Sequence, residues 1–206
     1  RPPEGLDERP AIVVFGGGKG GAGRSTLCAE IARSLARQGQ RALCLDASYS
    51  CPTLNAFLNA HEPTPAPPGG PFFGDPEAHV AEFIRATDHK SIWLASLAPA
   101  RRYPFVRPRF QADTLMAQLH ELDFDWILVD LPPGLDPFAV GLFTLADVPM
   151  LVCTPEPASV RMATQFLRST LFQALGHHPD APQLHDALLD LLYDQPLSLN
   201  RHSLHA

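Results

Sequence analysis

Six glycines, two cations and two hydroxyl side chains crowd into eleven residues, Gly16-Gly17-Gly18-Lys19-Gly20-Gly21-Ala22-Gly23-Arg24-Ser25-Thr26. A run of this kind is suited to binding phosphate. Glycine removes the side chains that would hold an anion off, and it tolerates the dihedrals that turn successive N–H groups toward one point. From Gly18 to Ser25 the run fits the phosphate-loop pattern G-x-x-x-x-G-K-[ST] at every fixed position but one, where Arg24 stands for the lysine. Ser25 offers a hydroxyl to magnesium, while Arg24 and the loop N–H groups offer positive charge to phosphate oxygens.

A strand must deliver such a loop and a helix must receive it. The apolar run Ala11–Phe15 precedes it, and a helical pattern begins near Ser25, whose unpaired N–H groups and dipole favour an anion. A plain glycine-rich turn is the bland alternative, and the length of the fit outweighs it. Two aspartates stand where a neighbouring strand would present them: Asp46 ends Arg41–Leu45, and Asp130 ends Trp126–Val129 ahead of Leu131-Pro132-Pro133-Gly134. Ligands gather at the carboxyl ends of strands in doubly wound sheets, so both aspartates are expected to face the loop. Ser25, Asp46 and Asp130 would surround magnesium, and Asp130 with Gly134 would sense a γ-phosphate. For either aspartate alone, a loop-capping role is the alternative.

Further short apolar runs recur at Ala42–Leu45, Ile92–Ala95 and Met150–Cys153, each separated by enough chain for a helical crossover. Helical spacing joins Leu27, Ile31 and Leu35, then Leu115, Leu119 and Leu122, then Val160, Ala163, Leu167 and Leu171, and Gly39 is placed to end the first helix. The expected class is α/β, a doubly wound and mainly parallel sheet with helices on both faces. The 206 residues suit one domain over 11–206, preceded by a flexible tail over 1–10 and interrupted by a Pro/Gly-rich surface loop over 61–76. A formal charge of -6 argues against broad attraction to nucleic acid or anionic lipid. The cysteines Cys28, Cys44, Cys51 and Cys153 form no C-x-x-C pair and read as reduced thiols. No signal peptide opens the chain and no apolar run approaches the ~20 residues of a membrane span, so a soluble cytosolic protein is expected. Its start at Arg1 reads as a trimmed or processed end.

Taken together, these motifs resemble the MinD/ParA family of deviant Walker ATPases, and within it most closely the FlhG-like branch that counts and positions flagella. The family loop K-G-G-x-G-K-[ST] is matched by Lys19-Gly20-Gly21-Ala22-Gly23-Arg24-Ser25. The likeness runs on through Leu45-Asp46-Ala47-Ser48, Thr53-Leu54-Asn55-Ala56-Phe57-Leu58, Asp130-Leu131-Pro132-Pro133-Gly134 and Thr154-Pro155-Glu156-Pro157-Ala158-Ser159, covering roughly residues 11 to 175. It implies ATP or ADP with Mg2+ as cofactors, bound by Gly18 to Thr26 and Gly134, and a catalytic set of Lys19, Asp46 and Asp130. Lys19 would reach across an ATP-dependent homodimer to the partner's phosphates. The resemblance also implies slow hydrolysis, an unidentified regulatory protein partner, and a cytoplasmic protein that positions a cellular machine. Peripheral contact with membrane or DNA is left open and not favoured.

Three departures bear on activity. Arg24 is a planar fork where the family has a compact ammonium. Ser48 stands at the second aspartate of the family's D-x-D, which orients the attacking water. The later strand that presents an asparagine to adenine has no evident counterpart before Ala206, which leaves the base contact open and reads as a C-terminally incomplete domain. Two readings therefore stand side by side: a slow ATPase switch, and a nucleotide-stabilised scaffold that has lost hydrolysis. A dethiobiotin-synthetase-like ligase of the wider fold lacks any substrate signature. Elsewhere, Arg101 to Phe110 interleaves arginines with aromatics and reads as a solvated loop. Asp75 and Glu77 read as the start of a helix over Ala78 to Arg85. His177, His178 and His185 lack metal-ligand spacing. The leucine stripe Leu184, Leu188, Leu189 and Leu192 carries Asp186 and Asp190 without a lysine, so packing on the domain is expected over binding to lipid.

Overall fold

The computed structural model describes residues 9–48, 52–60, 79–97 and 111–176. Six strands build its sheet: β1 (Ala11–Gly16), β2 (Ala42–Asp46), β3 (Arg85–Ala86), β4 (Ile92–Ser96), β5 (Trp126–Asp130) and β6 (Val148–Leu151). Their order is β3-β4-β2-β5-β1-β6, parallel throughout except for β3, a two-residue antiparallel edge against β4. Among the described residues five α-helices accompany them: α1 (Arg24–Arg37), α2 (Leu54–Leu58), α3 (Ala112–His120), α4 (Pro137–Thr144) and α5 (Pro157–Gly176).

Alternate residues along each strand feed two separate cores, as the pleat requires. Ile12, Val14, Leu43, Leu45, Ile127 and Val129 face Leu115 and Leu119 of α3, Val140 and Phe143 of α4, and Phe166 of α5. Val13, Phe15, Ala42, Cys44 and Leu128 face Cys28, Ala29 and Ala32 of α1 with Leu54 and Leu58 of α2. The sheet is therefore covered on both faces, as the buried apolar runs imply.

Several local expectations need correction. The inward face of α1 is Cys28, Ala29, Ala32 and Ala36, and Leu27, Ile31 and Leu35 lie half-buried on its flanks. On α5 the buried residues are Ser159, Ala163, Phe166 and Thr170, while Leu167 and Leu171 are 39% and 51% exposed. Strand β6 begins two residues before the expected run, because Val13 pairs with Val148 and β1 is spent by Leu151. The helix expected over Ala78 to Arg85 is a 3-10 turn over Val80–Phe83 followed by β3. Arg9 and Pro10, assigned to the tail by sequence, join the domain: Arg9 pairs with Asp147 at 2.9 Å and Pro10 is buried. The 61–76 loop, Cys51, Asp75, Glu77, the Arg101 to Phe110 segment, the three histidines and the Leu184 to Leu192 stripe lie outside the described residues.

Candidate functional site

Parallel register brings the chemistry together. Asp130 is opposite Phe15 on one side and opposite Asp46 on the other, so both aspartates finish level with the end of β1, where the glycine loop starts. Helix α1 receives the loop at Arg24, one residue before the expected start, and its first intrahelical bond runs from Leu27 N–H to Gly23 C=O at 2.9 Å. No side chain caps that helix, which leaves its first N–H groups for a ligand.

The glycines divide by role. A Cβ on Gly16 would meet the Phe143 ring at 2.5 Å, one on Gly17 would meet Val152 C=O at 2.5 Å, and one on Gly18 would meet Met162 C=O at 2.4 Å. These three are glycines because α4, the residue after β6, and α5 press on the loop. Gly21 and Gly23 have φ of 75° and 91° with open space around them. The stretch that faces outward is thus Gly20 to Gly23, with Ala22 half-buried among exposed glycines. Pro133 of the loop after β5 lies 3.9 Å from where a Gly20 Cβ would sit, and Gly134 follows at φ 105°.

Arg24 is 7% exposed and folded under the loop. Its Nη1 donates to Gly17 C=O at 3.1 Å and to Lys19 C=O at 2.9 Å, tying the loop to its own first helical turn. Burial pulls its pKa down, opposed by the charge of Asp130. Lys19 points elsewhere and forms an ion pair with Glu156 at the end of the loop after β6. Thr26 is exposed on the first turn of α1.

Ser25 and Asp130 meet directly. Ser25 Oγ donates to Asp130 Oδ2 at 2.5 Å, and it lies 2.9 Å from Thr53 Oγ1. Asp130 is 3% exposed, and burial raises its pKa to about 6, helped by the charge of Asp46 and opposed by Ser25 and Arg24. Asp46 has a different occupation. Its Oδ1 accepts from Ser48 N–H at 3.0 Å, and its Oδ2 accepts from Thr53 N–H at 2.8 Å and Leu54 N–H at 3.0 Å. Burial raises the Asp46 pKa as well, against those three N–H groups. The side chain expected around magnesium thus also ties Ser48, Thr53 and Leu54 to the end of β2, with Thr53 beside Ser25.

Among the described residues, the buried side-chain polar atoms without a hydrogen-bond partner are Arg24 Nε and Asp130 Oδ1. One is a donor and the other an acceptor, and both sit at the loop. Buried orphans of this sort call for a partner, whether bound water, an ion or a ligand. A hydroxyl and a carboxylate are hard oxygen donors of the kind magnesium accepts, with waters completing its shell, so Ser25 and Asp130 fit that ion. No cluster of three or more His, Cys, Asp or Glu able to hold a metal occurs among the described residues. Nor is any helix there long and apolar enough to cross a membrane.

Sequence reasoning about chemistry passed over Thr53 and Glu156, which it quoted only inside motifs. Thr53 was findable: a threonine just before an apolar helical run is a helix-start signal.

A family model described as ParA, NUBPL iron-transfer P-loop NTPase, matches residues 9–176. The chain is similar to a putative septum site-determining protein MinD of Oltmannsiellopsis viridis, 30% identical over 159 residues, 77% of this chain and 49% of that protein. It is also similar to an iron-sulfur cluster carrier protein of Deinococcus radiodurans, 30% identical over 156 residues, 73% of this chain and 42% of that protein. The chain thus spans about half the length of these curated relatives. In fold it is similar to the septum site-determining protein MinD of Pyrococcus horikoshii, a complex with Mg-ADP, at a TM-score of 0.65 and 22% identity over 80% of this chain and 66% of that one.

Proposed function

Because this chain belongs to the ParA/MinD family of P-loop NTPases, we propose that it binds ATP or ADP with Mg2+ at Gly18 to Thr26 and switches its partners according to the nucleotide held. The observation that carries this is the direct meeting of Ser25 and Asp130 at the start of an uncapped helix that receives the loop, with the buried Oδ1 of Asp130 left without a protein partner. The loop N–H groups and Arg24 bind phosphate, Ser25 and Asp130 hold the cation, and Asp46 keeps the neighbouring chain in place. Bound magnesium would neutralise charge on the β- and γ-phosphates. Lys19 is the cation free to exchange Glu156 for the phosphates of a second copy, which makes an ATP-dependent homodimer the form that recruits a regulatory protein. Gly134, beside Pro133, is the point at which a γ-phosphate would be felt. The site is expected to work in the cytoplasm, with placement of a cellular machine of the FlhG or MinD kind as its setting.

Two observations favour a second reading, a nucleotide-stabilised scaffold without turnover. Arg24 commits Nη1 to the loop carbonyls, and Ser48 brings a hydroxyl where the family has its water-orienting carboxylate. Calorimetry with ATP and ADP, paired with light scattering, tests both. ATP is expected to bind and to double the molar mass; phosphate release above background selects the switch and its absence the scaffold. No heat and no change in mass with either nucleotide at saturating Mg2+ would defeat the proposal.

A further inference from the structure

Resting on that nucleotide–magnesium reading, we infer that Thr53 is the residue that aims Ser25 at the cation, and that Asp46 acts by holding Thr53 there. The ionised carboxylate of Asp130 can only accept, so the one proton of Ser25 is committed to Asp130 Oδ2 at 2.5 Å. In the 2.9 Å contact between the two hydroxyls, Thr53 is then the donor. A hydroxyl oxygen has two lone pairs. Thr53 occupies one and Asp130 fixes the O–H direction, so the rotation of Ser25 is settled and its second lone pair is held in a single direction.

Thr53 can do this because the chain after β2 is anchored from below. Asp46, 1% exposed at the end of β2, accepts from the N–H groups of Ser48, Thr53 and Leu54. The result is a relay from Asp46 through the Thr53 backbone and hydroxyl to Ser25 and on to Asp130. The unpartnered, buried Oδ1 of Asp130 independently points to a ligand at the far end of this relay. Asp46 and Thr53 are positioning residues in this scheme, and the atoms that touch the cation belong to Ser25 and Asp130. Preorganisation of this kind removes ordering cost from the binding step.

The test is ADP binding by calorimetry on the full chain, with Mg2+ titrated and with EDTA, for wild type, Thr53→Val and Thr53→Ser. Thr53 is exposed, so both variants are expected to fold, and Thr53→Ala is the substitute should Thr53→Val melt early. In wild type, Mg2+ is expected to tighten ADP binding. Thr53→Val should need about fivefold more Mg2+ for half of that gain, the worth of about one neutral hydrogen bond, with magnesium-free affinity within about twofold of wild type. Thr53→Ser should behave as wild type. An unchanged Mg2+ requirement in Thr53→Val, an equal loss in Thr53→Ser, or an equal loss in EDTA would overturn the inference while leaving nucleotide binding intact. Wild-type binding that ignores Mg2+ would also overturn it, whereas no ADP binding at all would bring down the nucleotide reading beneath it.

Discussion

Asp130→Asn should make the ligand-free protein more stable at neutral pH while abolishing its response to Mg2+. The carboxyl is 3% exposed, with one oxygen bonded to Ser25 and the other bonded to nothing. Burial lifts its pKa from 3.8 to about 6, which is a cost of about 3 kcal/mol on the ionised native form. An amide of the same shape escapes that cost but leaves an NH2 without an acceptor, worth about 1 kcal/mol in the other direction. The net gain is about 2 kcal/mol at pH 7.5, or about 5 °C in Tm. Its pH dependence is the sharper signature. Between pH 3.8 and about 6 the native state holds the proton more tightly than the unfolded chain, so wild-type stability falls as pH rises through that window and levels off above it. The advantage of the variant should therefore shrink by about 2 kcal/mol between pH 7.5 and 4.5. Urea unfolding in EDTA across this range measures it; the lowered pKa of His120 is common to both proteins and cancels, while Asp46, relieved of the Asp130 charge in the variant, loses part of its own upward shift and adds to the difference in the same direction. Two parallel stability curves, or a variant weaker than wild type at pH 7.5, would refute the reasoning.

Other expectations follow from the loop. Gly18→Ala puts a Cβ 2.4 Å from a backbone carbonyl of α5 and should cost more than about 2 kcal/mol, whereas Gly21→Ala at φ 75° in open space should cost about 1 kcal/mol; thermal melts that rank them the other way would contradict the division of the glycines. Arg24→Lys combined with Ser48→Asp restores a compact ammonium and a water-orienting carboxylate, and phosphate release is expected to rise about tenfold or more. A rate equal to wild type would count against both assignments.

The strands were legible because β1, β2 and β5 are buried on both faces and so read as unbroken apolar runs. Their parallel register follows from the crossovers, and with it the meeting of Asp46, Asp130 and the loop. Helices were less legible where packing departs from an amphipathic stripe. Helix α4, PFAVGLFT, has five of its eight residues buried, and a helix buried on most sides has no polar face to reveal its period. Helix α1 turns cysteine and alanine to the sheet, since small residues let its axis come close under the loop, and the larger leucines are displaced to its flanks. On α5 the leucine spacing suggested the inward face, yet Phe166 takes the core beside Phe143, their rings 5.0 Å apart and edge to face. Leu167 and Leu171 are left outside. At the site, sequence supplied the residues but not who holds whom: Asp46, expected around magnesium through its water shell, also accepts from three backbone N–H groups that tether the residues carrying Thr53.

That division of labour explains why a loop with so much glycine can keep its shape before any ligand arrives. Gly16 to Gly18 are wedged by Phe143, Val152 and Met162, and Arg24 ties Gly17 to Lys19 from below. A lysine at position 24 could turn its three N–H donors toward loop carbonyls or phosphate without leaving a fixed donor behind. The arginine fork cannot, because committing Nη1 to the loop strands Nε in the interior. The substitution therefore moves the residue toward holding the loop and away from following a phosphate through reaction. On the nucleotide reading proposed above, binding and turnover would then be separable, and Arg24→Lys assayed beside the double variant divides the effect between position 24 and Ser48: a rate equal to wild type in the single variant would refute a part for Arg24 in turnover.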